Sequence, residues 1–169
     1  MAKHFNVTGL LTQELLPPGN GVSVSEVSLT NVGFTSAAKI DLYMEKKLTG
    51  KFYLLREVVI PLGVTLTHEI IGFNNNIGEF GMYVRLHGSA SFVLTGSIDP
   101  VASAIVTGVG TAFLREVAAG DSLLVSGETR IVNDVASNTA LRVTEAFSNN
   151  SNDTSPEITP VSPVDIIFA

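Results

Sequence analysis

The chain has no cysteine and no tryptophan, and only 15% of its 169 residues are charged, against a usual share of about a quarter. Without cysteine there is no disulfide framework, no thiolate metal site and no cysteine nucleophile. That suits a protein made in a reducing cytoplasm. Without tryptophan the best stacking platform for sugar rings is missing. A membrane-length run is missing too. Between Arg85 and Arg115 the only formal charge is Asp99, yet Gly88, Gly96, Pro100, Gly108 and Gly110 cut the span. A bilayer-crossing helix needs roughly 20 continuous apolar residues. The stretch Met1-Ala2-Lys3-His4-Phe5-Asn6 lacks the apolar region of a secretory signal.

Scarce charge leaves a chain that is 45% hydrophobic. Its length suits one large or two small domains. Small β-domains have much surface to cover, so we expect apolar outer surface that is buried against partners. The net charge of −6 is unevenly placed: residues 1–92 carry seven basic and seven acidic side chains, whereas residues 93–169 carry three and nine. Nucleic-acid binders need the opposite sign, because Lys and Arg replace condensed counterions. Direct nucleic-acid binding is not expected.

The most informative stretch is Phe52 to Ile71. Val64, Leu66 and Ile70 alternate with Thr65, Thr67 and Glu69, the period of a half-buried strand. Pro61 and Gly63 separate it from the apolar run Val58-Val59-Ile60, so the spacing predicts a hairpin. Residues 1–21 read as an arm ending in Pro17-Pro18-Gly19-Asn20-Gly21, which is dense turn chemistry. The arm pairs at home or lies on a neighbouring subunit. Val22 and Val24 share one parity and Val27 and Leu29 the other, which predicts a bulge near Ser25-Glu26. Residues 40–44 and 80–86 alternate cleanly, and 45–51 and 72–78 read as loops, the first of them charged. Short strands without helical period mean a sandwich or barrel.

From about Ile98 a second unit follows, with strands near 101–106, 122–125, 129–135 and 140–143, a turn at Thr107 to Thr111, and one helical turn at Phe113 to Val117. This pattern predicts a small SH3-like β-barrel. Residues 148–159 read as a linker by composition. The closing run Val164-Asp165-Ile166-Ile167-Phe168 is an apolar strand that would be a liability unpaired. We expect it to return to the first domain, which makes the barrel an insertion. The expected organisation is an all-β chain: an antiparallel β-sandwich, Ig-like or jelly-roll-like, over 1–96 plus 160–169, a barrel module over 97–147, and a linker over 148–159.

No motif carries chemistry. Gly108-Val109-Gly110 lacks the third glycine and the βαβ frame of a dinucleotide site. His68-Glu69-Ile70-Ile71-Gly72 has glycine where a zinc-protease helix needs its second histidine. His4, His68 and His87 have no ligand spacing. His87-Gly88-Ser89-Ala90-Ser91 lacks the second glycine of a nucleophile elbow. No catalytic residue, cofactor site or metal site is assigned. Tyr43 and Tyr83 are expected to face outward, where they would pack across strands or offer a weak sugar site.

Thr107-Gly108-Val109-Gly110-Thr111-Ala112-Phe113, Ala119-Gly120-Asp121-Ser122-Leu123, Gly127-Glu128-Thr129-Arg130 and Ala136-Ser137-Asn138-Thr139-Ala140-Leu141 together resemble a small β-module of tail, fibre and other virion proteins of tailed bacteriophages. Phe52 to Leu55, Ile60 to Leu66, Gly81 to Val84 and a last strand from Pro163 to Ile167 are similar to phage β-sandwich proteins of heads and tails. The resemblance implies a non-enzymatic virion component. It does not specify the place in the virion. We expect a head decoration or accessory protein, with a tail, baseplate or fibre component next, and a carbohydrate- or receptor-binding module as the rival from a different class. The resemblance implies no catalytic residues; the apolar composition leads us to expect a homo-oligomer, a trimer or ring, that contacts other virion proteins, with no membrane.

Overall fold

The computed structural model describes residues 3–10, 12–19, 21–33, 36–46, 50–74 and 78–169. The expected loops at 45–51 and 72–78 lie partly outside these residues, as do Leu11 and Asn20 of the N-terminal arm and turn. The strands are β1 (Lys3–Val7), β2 (Thr12–Leu16), β3 (Ser23–Asn31), β4 (Ala38–Lys46), β5 (Gly50–Ile60), β6 (Thr65–Asn74), β7 (Phe80–His87), β8 (Phe92–Val93), β9 (Ser97–Ile98) and β10 (Ile105–Val109). A single helical turn, α1 (Phe113–Glu116), precedes β11 (Ser122–Val125), β12 (Glu128–Ser137), β13 (Ala140–Val143), β14 (Glu157–Thr159) and β15 (Val164–Phe168). Two compact units result: Met1–His87 with Ser162–Ala169, and Gly88–Val161.

The first unit is a β-sandwich of two four-stranded antiparallel sheets, ordered β1-β15-β3-β6 and β2-β7-β4-β5. The chain changes sheet at every connection except β4 to β5, which gives an eight-stranded jelly roll. Alternation supplies its core. Val27 and Leu29 on β3, and Val164, Ile166 and Phe168 on β15, face Ile40 and Leu42 on β4 and Met82, Val84 and Leu86 on β7, all buried. The arm pairs at home: β1 lies against β15, and β2 lies against β7 in the other sheet. The β3–β6 register shifts between Val24 and Glu26, where the parity breaks.

Residues 52–71 do not form a hairpin. β5 pairs with β4 and β6 with β3, so the two strands are edges of opposite sheets. Asn31, which is 1% exposed, explains the crossing. Its amide donates to the carbonyls of Ser36 and Ile60, 3.0 Å each, and its side-chain oxygen accepts from the Gly33 amide. Its own backbone bonds Val64 and Gly63. The turn after Ile60 is thereby tied to the end of β3, and β6 continues in β3's sheet.

The second unit has one seven-stranded sheet, β8-β14-β11-β12-β13-β10-β9. Among the described residues it does not close into the expected barrel. The strands at its two ends are only two residues long, too short to complete a cylinder, and a single bridge joins Ile98 to Asp153. Phe113, Leu123, Val125, Val132, Leu141, Phe147 and Ile158 form the core. Thr107 to Val109, expected as turn, belongs to strand β10. Gly108 serves packing there: a Cβ would stand 2.5 Å from the Thr111 side chain and 2.9 Å from the Phe113 ring.

The unit boundaries lie at 87/88 and 161/162, not at the 96/97 and 159/160 expected. Residues 148–159 are part of the second unit rather than a linker. β14 is paired on both sides, by β11 and β8. The Asp153 carboxylate accepts from the amides of Ser126 and Ser155. A Ser/Asn-rich composition reads as linker, yet the same short polar side chains cap backbone turns. Unit by unit, the first carries seven basic and eight acidic residues and the second three and eight; the acidity sits in the second.

Candidate functional site

The first unit has an open side where its edge strands β5 and β6 lie. A cleft of about 530 Å³ enters between the sheets, lined by Met44, Leu54, Phe80, Ile70, Ile71 and Phe73, with His68, Glu69, Gly72 and Asn74 at its polar parts. It exists because β6 bulges. Between the pairs Val24↔Phe73 and Glu26↔Glu69, β3 offers only Ser25 to three residues of β6, Ile70, Ile71 and Gly72. Gly72 takes the left-handed conformation at φ 76°, which glycine adopts freely. The bulge returns Phe73 to the core and leaves Ile71 91% exposed. On the same two strands and their connection, Phe52, Val59, Leu62 and Val64 are also exposed. Among the described residues, this apolar side stays exposed. The signal for it in the sequence is the broken alternation at Ile70-Ile71-Gly72, which a simple period-2 reading passes over.

The outer face of the second sheet carries a tyrosine row. Tyr43 stands opposite Tyr53 on one side and Tyr83 on the other, at ring distances of 5.5 and 5.7 Å. The Lys51 ammonium lies 4.5 Å above the Tyr43 ring, and the Tyr83 hydroxyl donates to Glu14. Tyr43 does point outward from its sheet, but its neighbours cover it to 1% exposure. The exposed ring is Tyr53, at 44%, with the Arg56 guanidinium 5.3 Å from its centre.

Beside this row sits a buried carboxylate. Asp41 accepts from the Glu57 amide at 2.7 Å and meets His87 Nε2 at 2.8 Å. Burial pushes its pKa up, but the Glu57 amide, His87 and Arg85 together hold it below the ordinary value. Arg56 and Glu57 stand opposite Asp41 alone in the ladder, and Glu57 has φ 51°, an uncommon backbone for a residue with a side chain. Lys39 pairs with Glu57 at 2.7 Å and holds that carboxyl low as well. Asp41 and Glu57 are therefore close, but neither is the raised acid that sugar hydrolysis uses. The three histidines occupy three strands: His4 is on β1, His68 lines the cleft on β6, and His87 holds Asp41 from β7. Among the described residues no three His, Asp or Glu side chains gather as metal ligands.

The carboxylates of the second unit bind its own backbone. Asp121, 4% exposed, accepts from the amides of Ala118 and Val161, 2.8 Å each; burial nevertheless pushes its pKa up. Glu128 gathers the Ser148 hydroxyl and amide, the Asn149 amide and Arg130. These donors lower its pKa from 4.5 to about 2. A depressed acid contributes stability that is full above its unfolded pKa and is lost as pH falls through the folded one. The window for Glu128 therefore runs from about 4.5 down to about 2. In denaturant titrations at pH 7, 4.5 and 2.5, Glu128→Gln should show a smaller acid-induced drop in midpoint than the parent. Parallel curves would refute this account.

No protein-family model, curated protein sequence or solved structure matches the chain.

Proposed function

We propose that this chain is a structural component of a tailed-bacteriophage virion, a head decoration or accessory protein that acts by assembly rather than catalysis. The observation that carries the reading is the uncovered β5–β6 side, with its cleft and the protruding Ile71. An apolar surface of this kind marks a place where another molecule fits. The jelly roll supports the reading, since viral capsid domains use it, but so do lectins, and fold alone does not assign function. The acidic second unit suits a position turned away from packaged nucleic acid. A tail or baseplate position uses the same surfaces.

Gold-tagged antibody on purified particles tests the place. Gold over heads supports decoration, and gold at the tail or its tip moves the assignment there. Bare particles with an accessible epitope would end the virion reading. Assembly has its own test. Burying one isoleucine contributes about 1.5–3 kcal/mol, so Ile71→Glu should weaken self-association roughly tenfold or more by sedimentation. A parent that stays at 17.9 kDa at every concentration would instead place assembly on the particle alone.

Sugar binding is the second reading, and the half-exposed Tyr53 with Arg56 beside it is its support. Glycan binding that disappears in Tyr53→Ala would favour it.

A further inference from the structure

The β5–β6 side of the first unit carries a knob and a hole together. Ile71 belongs to the lining of the cleft yet is 91% exposed, so it stands at the lip. Behind it, Met44, Leu54, Phe73 and Phe80 offer an apolar seat. There is room around it for a stable contact. β6 has ten residues with Ile71 near the middle, a length of about 33 Å. Two sheets and their edge strands make the side roughly 20 Å wide. The area is on the order of 600 Å², the low end of what each partner in a stable complex gives.

The edges themselves are poor templates for an added strand. The β4–β5 ladder shifts register twice and the β3–β6 ladder once, and bulges discourage edge pairing. Side chains, not a backbone ladder, make the contact. Charge favours a second copy as the occupant. The first unit carries seven basic and eight acidic residues, and Lys46, above the Phe80 ring, is already paired with Glu79 at 2.9 Å. Two such surfaces meet with little repulsion, whereas the second unit, with three and eight, repels its own kind. The tethers of the second unit also leave the first from the far end of its strands. His87 ends β7, whose first residue, Phe80, lines the cleft. Val164 pairs with Asn31 at the end of β3, whose first residues pair with Asn74 and Phe73.

Symmetry follows from where knob and hole lie. A ring needs them on different faces of the molecule. Here they share one side, so a two-fold axis lets each copy give its knob and fill its hole at once. We infer that two copies of this chain pair about such an axis through the β5–β6 side, the Ile71 of each seated in the cleft of the other. The inference rests on the assembly part of the proposed function and is independent of the place in a virion.

A charge exchange tests it in the full chain. In sedimentation over a wide concentration range, the parent should approach twice 17.9 kDa and stop there. Ile71→Glu spoils the knob, and Leu54→Lys spoils the half-buried wall of the seat. Each alone should weaken pairing about tenfold or more. Mixed, the two variants should pair again, because the new carboxylate of one chain meets the new ammonium of the other, and the unaltered knob finds an unaltered cleft. A variant that merely failed to fold would not be rescued. The chain has no cysteine, so Ile71→Cys adds the sole thiol. It should oxidise to a linked dimer at least about tenfold faster than Val109→Cys, which is 71% exposed on the second unit, as effective concentration at an interface requires. A parent that stays at 17.9 kDa would overturn the inference and leave the cleft to another ligand, even if gold still marked the particles. Species beyond the dimer would overturn the two-fold closure. Self-association unchanged by both charge variants, or no rescue on mixing, would remove Ile71 from the partner's cleft while leaving the virion reading to the gold label.

Discussion

A chain ending at Pro163 should fail to form the jelly roll. β15 is not an appended edge: it lies between β1 and β3 and pairs with both through all five of its residues. Its inward side chains, Val164, Ile166 and Phe168, are at most 3% exposed. Each is worth roughly 1.5–3 kcal/mol of burial, so together they contribute about 5–9 kcal/mol, against a total domain stability of about 5–15 kcal/mol. Losing the strand also strips β1 of its partner and leaves β3 with an open apolar edge. The expected result is a truncated protein in which amide resonances from residues 3–87 collapse toward unfolded positions. Those of Gly88–Val161 keep their dispersion, since that core contains no residue from the removed segment. Dispersed signals from β3 and β7 in the truncated chain would contradict the argument.

That strand is also where the sequence spoke most clearly. Val164 to Phe168 is apolar at every position but one, its inward positions fill the core while Ile167 stays half-exposed, and no strand near it in sequence was free to pair. Parity likewise marked β4 and β7, whose inward sides alternate strictly. The edges were harder. β5 and β6 look like a hairpin because a Pro-Gly turn joins two strand patterns. Nothing local reveals that Asn31, thirty residues upstream, ties that turn to another sheet. The cleft was hidden for a related reason: it results from a three-residue bulge on β6, and bulges are set by the partner strand's register. The expected barrel failed at its shortest strands. Two-residue pairings such as Phe92–Val93 carry no periodicity to read. The linker expectation failed because composition does not tell a free Ser/Asn segment from one whose amides Glu128 and Asp153 collect.

The tyrosine row provides the other large effect, and it turns on a side chain whose direction was legible but whose burial was not. Alternation puts Tyr43 on the outer face, where a lone tyrosine would be half wet and its loss mild. Register changes this. Tyr53 and Tyr83 stand directly opposite on both neighbouring strands, and Lys51 closes the top, so an outward ring becomes a buried one. Tyr43→Ala should therefore cost about 3–5 kcal/mol, as for a core aromatic, measured by urea unfolding of the first unit. Two ring contacts, each worth about 0.5–1.5 kcal/mol beyond burial, contribute to that figure. Tyr43→Phe keeps both ring contacts and gives up only the hydroxyl that accepts from Lys51 at 3.3 Å. Its cost should stay near 1 kcal/mol or less. The ratio between the two variants is the informative quantity. A large gap means that the ring packs the outer face as a second, smaller core. Equal and small losses would mean that the row is ordinary surface, and a stacking site built on Tyr43 would again be open.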